Sequence, residues 1–216
     1  GNRGYFKMMT GNETVALKPV LINGTYAIQK TYTKPYASCR YTHPAVEAAI
    51  SLKAENDFKI EEIKKVKVET YSLAVFGHSH KEITSPYSAK MSIPYSTAAA
   101  LIYGKAGLNE FSEEYINNEL TARLIKRISV LPSEELNKLF PDMQVAIVEV
   151  TTTRGVFSKR IDFPKGEPEN PMTDDEFRAR YEELMEYAGV GKWTSDEIYK
   201  IVYKKDAKVN DIFDVL

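Results

Sequence analysis

The chain has little that would staple it, anchor it or hold a metal in it. Cysteine occurs once in 216 residues, at Cys39. A single thiol excludes an intrachain disulfide and a cysteine-only zinc site, and a reducing, cytoplasmic compartment is expected. No apolar run approaches the roughly 20 residues needed to span a bilayer, and no stretch reads as a signal peptide. Charge of one sign is not in excess either: 29 basic and 30 acidic side chains leave a net charge of -1. Nothing in that balance selects nucleic acid or an anionic membrane. Also missing are GxGxxG, the Walker loop, HExxH, GxSxG and any Cys/His zinc spacing.

What is present is the profile of a globular chain, 43% hydrophobic and 27% charged, long enough for one domain and an appendage. The opening GNRGYFKMMTG has no initiator Met and reads as a glycine-punctuated loop, so processing or a longer parent chain is expected. Residues 1–33 are turn-rich, with Gly4, Gly11, Pro19 and Gly24. Pro44 then stands where a first helical turn tolerates it. Apolar residues at 45, 46, 49, 50 and 52 predict a helix over 44–54, buried along one face.

Strands are predicted near 66–72, 126–131, 143–152 and 155–163, the last two forming a hairpin that turns at Arg154–Gly155. MSIPYSTAAALIYGKAG reads as a compact helix of small residues stopped by Gly104 and Gly107. Pro94 interrupts it near Ser92 and Tyr95, which points to close helix packing. NEFSEEYINNELTARLIKRI reads as two short helices, or one broken near Asn117–Asn118. PKGEPENP, 164–171, is irregular because of three prolines and a glycine. Two closing helices each carry a Thr-x-x-Glu capping box, Thr173 with Glu176 and Thr194 with Glu197. The fold class expected is α+β: an antiparallel four-stranded sheet, helices packed on one face, and C-terminal tail helices.

The stretch KPYASCRYTH, Lys34 to His43, is the densest collection of chemistry in the chain. Cys39, Arg40 and His43 fall at a predicted helix start, where backbone N–H groups and the helix dipole favour anions. Lys34, Arg40 and His43 could converge there on a carboxylate. A cap region with a surface lysine and arginine beside a buried, space-filling cysteine is the more ordinary explanation of the same residues. His78-x-His80 reads as part of a mobile, solvated loop rather than a metal site.

The run Y-x-K-P-Y-A-S-C-R-Y-T-H-P-A-V-E-A-A resembles the opening motif of the C-terminal domain in the MmgE/PrpD family. Two further blocks resemble that domain in order, AKMSIPYSTAAALIYG at 89–104 and FPKGEPENPMTDDEFRARYEEL at 163–184. GNRGYFK resembles the glycine-rich segment that closes the family's preceding helical domain. The family contains 2-methylcitrate dehydratases, cis-aconitate decarboxylases and iminodisuccinate epimerases, which need neither metal nor organic cofactor.

The resemblance implies a lyase domain acting on small di- and tricarboxylates. Residues 1–33 would be the connection from an absent N-terminal helical domain, 34–188 the α+β lid domain, and 189–216 a helical tail. It implies Lys34 as a pocket lysine that binds a carboxylate and relays a proton, and His43 as either a second catalytic group or a helix cap. Tyr36, Cys39 and Arg40 become lining residues. Cys39 stands where relatives carry other residues, histidine among them, so packing or lining suits it better than a nucleophile's role. Expected partners are a small polycarboxylate, the missing helical domain and a second copy in a homodimer, with no nucleic acid and no membrane. The helix at 91–103 and the tail after Trp193 are expected to be left bare by the missing domain.

Overall fold

The computed structural model describes residues 5–12, 21–22 and 24–216. Two compact units divide the chain, Gly1–Thr31 and Tyr32–Leu216. In the first, α1 (Tyr5–Thr10) precedes a minimal antiparallel hairpin of β1 (Leu21–Ile22) and β2 (Thr25–Tyr26). The hairpin turns through Gly24 at φ +78°. The turns expected at Gly4 and Pro19 lie outside the described residues.

The second unit is built on a four-stranded sheet in the order β4-β3-β5-β6. Its strands are β3 (Ile63–Thr70), β4 (Ile128–Pro132), β5 (Ala146–Thr152) and β6 (Val156–Ile161). Burial alternates along β3 and β5, placing Val66, Val68, Val148 and Val150 on one face. The register sets Val66 opposite Val150 and Ile128, and Val68 opposite Val148 and Val130. Branched side chains therefore stack in rows, while Lys67 and Glu69 pair at 3.0 Å on the other face.

The sheet is mixed, which corrects the antiparallel expectation: β3 and β4 run parallel. Residues 71–127 supply the long helical crossover that a parallel pair requires, returning the chain to the same end of the sheet. The β5–β6 pair is the expected hairpin, closed by Thr152 and Gly155, with Gly155 at φ +144°.

Helices cover the valine face. The first is α2 (His43–Glu55), with Pro44 in its first turn. After β3 come α3 (Ser72–Val75), α4 (Pro86–Met91) and α5 (Ile93–Tyr103). Ser92 separates α4 from α5: its hydroxyl accepts the Tyr95 N–H at 3.1 Å, so Pro94 sits harmlessly in the first turn of α5. Gly104, at φ +70°, ends α5 in the left-handed region. The break near Asn117–Asn118 divides α6 (Glu113–Ile116) from α7 (Glu119–Arg127), and the Asn118 side chain caps α7. A short α8 (Glu134–Asn137) follows β4.

Helix α5 is not bare. Every side chain from Ile93 to Leu101 is buried, because its small residues let it lie against α2 beneath the sheet. That overturns the expectation of an exposed 91–103 helix. The last three helices are α9 (Asp174–Tyr187), α10 (Lys192–Val202) and α11 (Val209–Phe213). Thr173 and Glu176 form the capping box expected for α9. Thr194 and Glu197 do not form the second one. Helix α10 begins three residues earlier behind Gly191, and Glu197 pairs with Lys200 at 2.7 Å instead. Along the tail Trp193, Tyr203, Val209 and Phe213 are exposed. No helix among the described residues is long and apolar enough to cross a membrane.

Candidate functional site

The stretch 34–43 is laced into the fold by backbone bonds to three distant segments. The Thr33 N–H donates to Gly166 at 2.9 Å, Ala37 to Ala106 at 3.0 Å and Cys39 to Lys90 at 2.8 Å. These bonds tie it to the 164–171 block, to the loop after α5 and to the end of α4. Thr42 locks the turn into α2, donating to the Cys39 carbonyl at 2.9 Å and meeting the Ser38 hydroxyl at 2.7 Å. A segment with so few free backbone groups holds its side chains in place.

Those side chains form one wall of an open cavity of about 430 Å³. Lys34, Tyr36, Ser38 and Cys39 come from the stretch itself, Tyr87, Lys90 and Met91 from α4, Leu108 from the loop after α5, and Arg180 from α9. Among the described residues three cations line it and no carboxylate does. Arg180 is already braced by Glu183, Nη1 to Oε2 at 2.6 Å. Lys34 and Lys90 form no ion pair among the described residues. Lys34 is exposed and Lys90 half-buried, so the burial needed for the proton-relay role is not present at Lys34 in this chain. Burial, reinforced by Glu47 and Glu176, pushes the Tyr36 phenol well above its usual range, so its hydroxyl remains a donor.

The structure separates the remaining expected site residues from the cavity. Arg40 is buried and turns away to an ion pair with Glu167, its guanidinium 4.9 Å from the centre of the Tyr32 ring. His43 is fully buried behind the wall, edge-on to Tyr36 with ring centres 5.2 Å apart. Burial, aided by the Arg40 charge, lowers its pKa to about 3, so the imidazole is neutral. Its Nε2 faces the Ser38 carbonyl at 3.3 Å and must carry the hydrogen, which leaves Nδ1 buried without a partner among the described residues. Both residues hold the wall from behind.

Lys90 and Arg180 were not singled out in the sequence; they reach the cavity only through tertiary folding. The 164–171 block likewise proves to be a clamp. The Glu47 carboxylate on α2 accepts the Lys165 N–H and the Asn170 side-chain amide, the latter at 3.2 Å. The His78–His80 loop is not solvated throughout: His78 is buried against the Tyr41 ring, and its Nε2 lies 3.6 Å from Cys39 Sγ. His80 ties the loop to Ser88 on α4, 3.1 Å from its carbonyl. Among the described residues no three His, Cys, Asp or Glu side chains converge as metal ligands.

A second groove, about 650 Å³, runs between α9 and α2 and shares Arg180 with the first, but its charges are mixed, Glu47, Glu176, Glu183 and Glu186 against Lys105, Lys165 and Arg180. Of these two cavities, the one of about 430 Å³ has the cationic lining among the described residues. With that geometry, the comparison with known families is decisive: the MmgE/PrpD C-terminal domain matches residues 36–204. The chain belongs to the MmgE/PrpD family. The match spans the cavity wall from Tyr36, the sheet, α9 and α10, and it begins two positions after Lys34. No curated protein matches the chain significantly.

Proposed function

We propose that this chain is the carboxylate-binding part of a cofactor-independent lyase of the MmgE/PrpD family, of the 2-methylcitrate dehydratase type. The observation that carries the reading is the cavity lined by Lys34, Lys90 and Arg180, with no acid among the described residues of its walls. Removing a proton beside a carboxylate develops negative charge on the neighbouring oxygens. Cations placed beforehand stabilise that charge and fix the orientation of a substrate with several carboxylates. Lys34 and Lys90 supply two uncompensated charges for two carboxylate groups, and the Tyr36 hydroxyl supplies a neutral donor. Among the described residues the wall carries no carboxylate to take the proton, and in this reading the base is supplied by an N-terminal helical domain that completes the site.

Binding of citrate to the chain, followed calorimetrically, tests the reading. Lys34→Met and Lys90→Met should each weaken it about tenfold, the worth of one charge-assisted hydrogen bond. Neither should move the thermal midpoint by more than a few degrees. The chain alone should not dehydrate 2-methylcitrate, and adding the separately produced helical domain should restore turnover. Citrate binding unchanged in both lysine variants would refute the proposal.

The exposed Trp193, Tyr203, Val209 and Phe213 favour a second reading, a non-enzymatic module of the same fold that binds a partner chain. Decarboxylation or epimerisation of a polycarboxylate would use the same cationic wall. Turnover restored by the helical domain separates the enzyme from the module, and product analysis separates the three chemistries.

A further inference from the structure

Cys39 and His78 form a thiol–imidazole pair at the edge of the cationic cavity, and the proposed lyase chemistry uses neither as a reacting group. The pair is built rather than incidental. His78 is 8% exposed, and its Nδ1 lies 3.0 Å from the Phe76 carbonyl oxygen. That oxygen only accepts, so Nδ1 carries the hydrogen and the lone pair on Nε2 is turned toward Cys39 Sγ at 3.6 Å. The Tyr41 ring closes edge-on against the imidazole, centres 5.1 Å apart, fixing its plane. Cys39 itself is only partly buried and lines the cavity with Lys34 and Lys90. A thiol, an oriented base and two unpaired cations therefore meet at one opening.

We propose that Cys39 is an alkylation site for α,β-unsaturated di- and tricarboxylates, held by Lys34 and Lys90 and added to the thiol with His78 as base. The inference rests on the carboxylate-binding reading of the cavity. Elimination beside a carboxylate yields an unsaturated acid of this kind, so the site would meet its electrophile as a product. In the step, His78 Nε2 takes the S–H proton and Sγ attacks the β-carbon. The carbon–sulfur bond forms as the carbon–carbon π bond opens, and the electron pair moves to the α-carbon and its carboxylate. The α-carbon then takes a proton from water, and His78 gives its proton back to solvent. No electrons are gained or lost overall. The product is a thioether, not an intermediate of turnover, and its bulk would obstruct the cavity.

The single cysteine makes the readout unambiguous, because each thioether on the intact chain is one mass increment on Cys39. Rates of adduct formation with fumarate and with neutral acrylamide would each be divided by the rate of the same reagent with N-acetylcysteine at equal pH. The fumarate ratio should exceed the acrylamide ratio at least about tenfold, a preference worth one charge-assisted contact. It should saturate with fumarate concentration and fall to the acrylamide value in the Lys34→Met/Lys90→Met double variant. His78→Gln should slow both reagents. Equal ratios in the wild-type chain, or a preference that survives loss of both lysines, would overturn the proposal. A His78→Gln chain alkylated as fast as wild type would overturn the base. Citrate binding reads the underlying assumption separately: citrate bound through the lysines without fumarate addition removes the alkylation site alone, and loss of both removes the carboxylate pocket with it.

Discussion

Gly166 and Thr33 approach so closely that a Cβ on Gly166 would lie 1.8 Å from the Thr33 carbonyl oxygen. The glycine also sits at φ +93°, a conformation that other residues adopt only under strain. The contact clamps the residue immediately before Lys34. Gly166→Ala should therefore destabilise the fold by about 2 kcal/mol or more, through backbone strain and the displaced Thr33 segment. Citrate affinity should fall with it. Urea unfolding checks the first effect, and a change below about 0.5 kcal/mol would show that the segment yields freely.

Arg40 and Glu167 make a second clamp, with side chains 7% and 18% exposed. Removing one member leaves the other charge in a poorly solvated place, at a cost of about 3 kcal/mol. Glu167→Leu should thus be more destabilising than the Arg40→Met/Glu167→Leu double variant, in which no charge is stranded. A double variant at least as unstable as the single would show that the pair contributes net attraction.

His43 gives stability an acid limit. Its pKa falls from 6.5 to about 3 on folding, so between those values the unfolded chain binds one more proton than the folded one. The contribution is complete above pH 6.5 and is lost as pH drops toward 3, by about 1.4 kcal/mol per unit. His43→Gln should be less stable near neutral pH and should lose stability about one proton less steeply between pH 6 and 4. Parallel unfolding curves for the two proteins across that range would contradict a neutral buried imidazole.

Gly107 guards the orientation of Arg180. A Cβ there would lie 1.8 Å from Glu183 Oε1, the same oxygen that accepts the Leu108 N–H at 3.1 Å. Gly107→Ala should push Glu183 aside and release Arg180. Citrate affinity should weaken severalfold, while unfolding shifts by only about 1 kcal/mol, since a flexible carboxylate and not backbone is displaced. Affinity equal to wild type would remove Arg180 from the binding wall.

The elements that local chemistry dictates were legible in the sequence. Pro44 and the apolar spacing after it marked α2, Gly155 marked the hairpin, and Thr173 with Glu176 marked the start of α9. The parallel pairing of β4 was not, since it depends on where a long helical crossover returns the chain. Thr194 misled because a capping sequence is only an option, and Gly191 offered an earlier start. For the site, the 34–39 stretch pointed to one wall through Lys34, Tyr36 and Cys39. Arg40 and His43 looked equally chemical and were drawn inward by Glu167 and by burial. Lys90 and Arg180 carry no local signature, and His78 read as part of a solvated loop, because their relation to Cys39 exists only once the segments have packed.

The outer strands of the sheet have a consequence for how copies of this protein can meet. β4 is short and ends at Pro132, which has no N–H to offer a neighbouring chain. β6 carries Lys159, tied to Glu55 at 2.5 Å, and Arg160, paired with Asp162 at 2.7 Å. A strand laid along either border would meet a missing donor or displace satisfied charges. Ribbon-like stacking into fibrils is thereby discouraged at both margins.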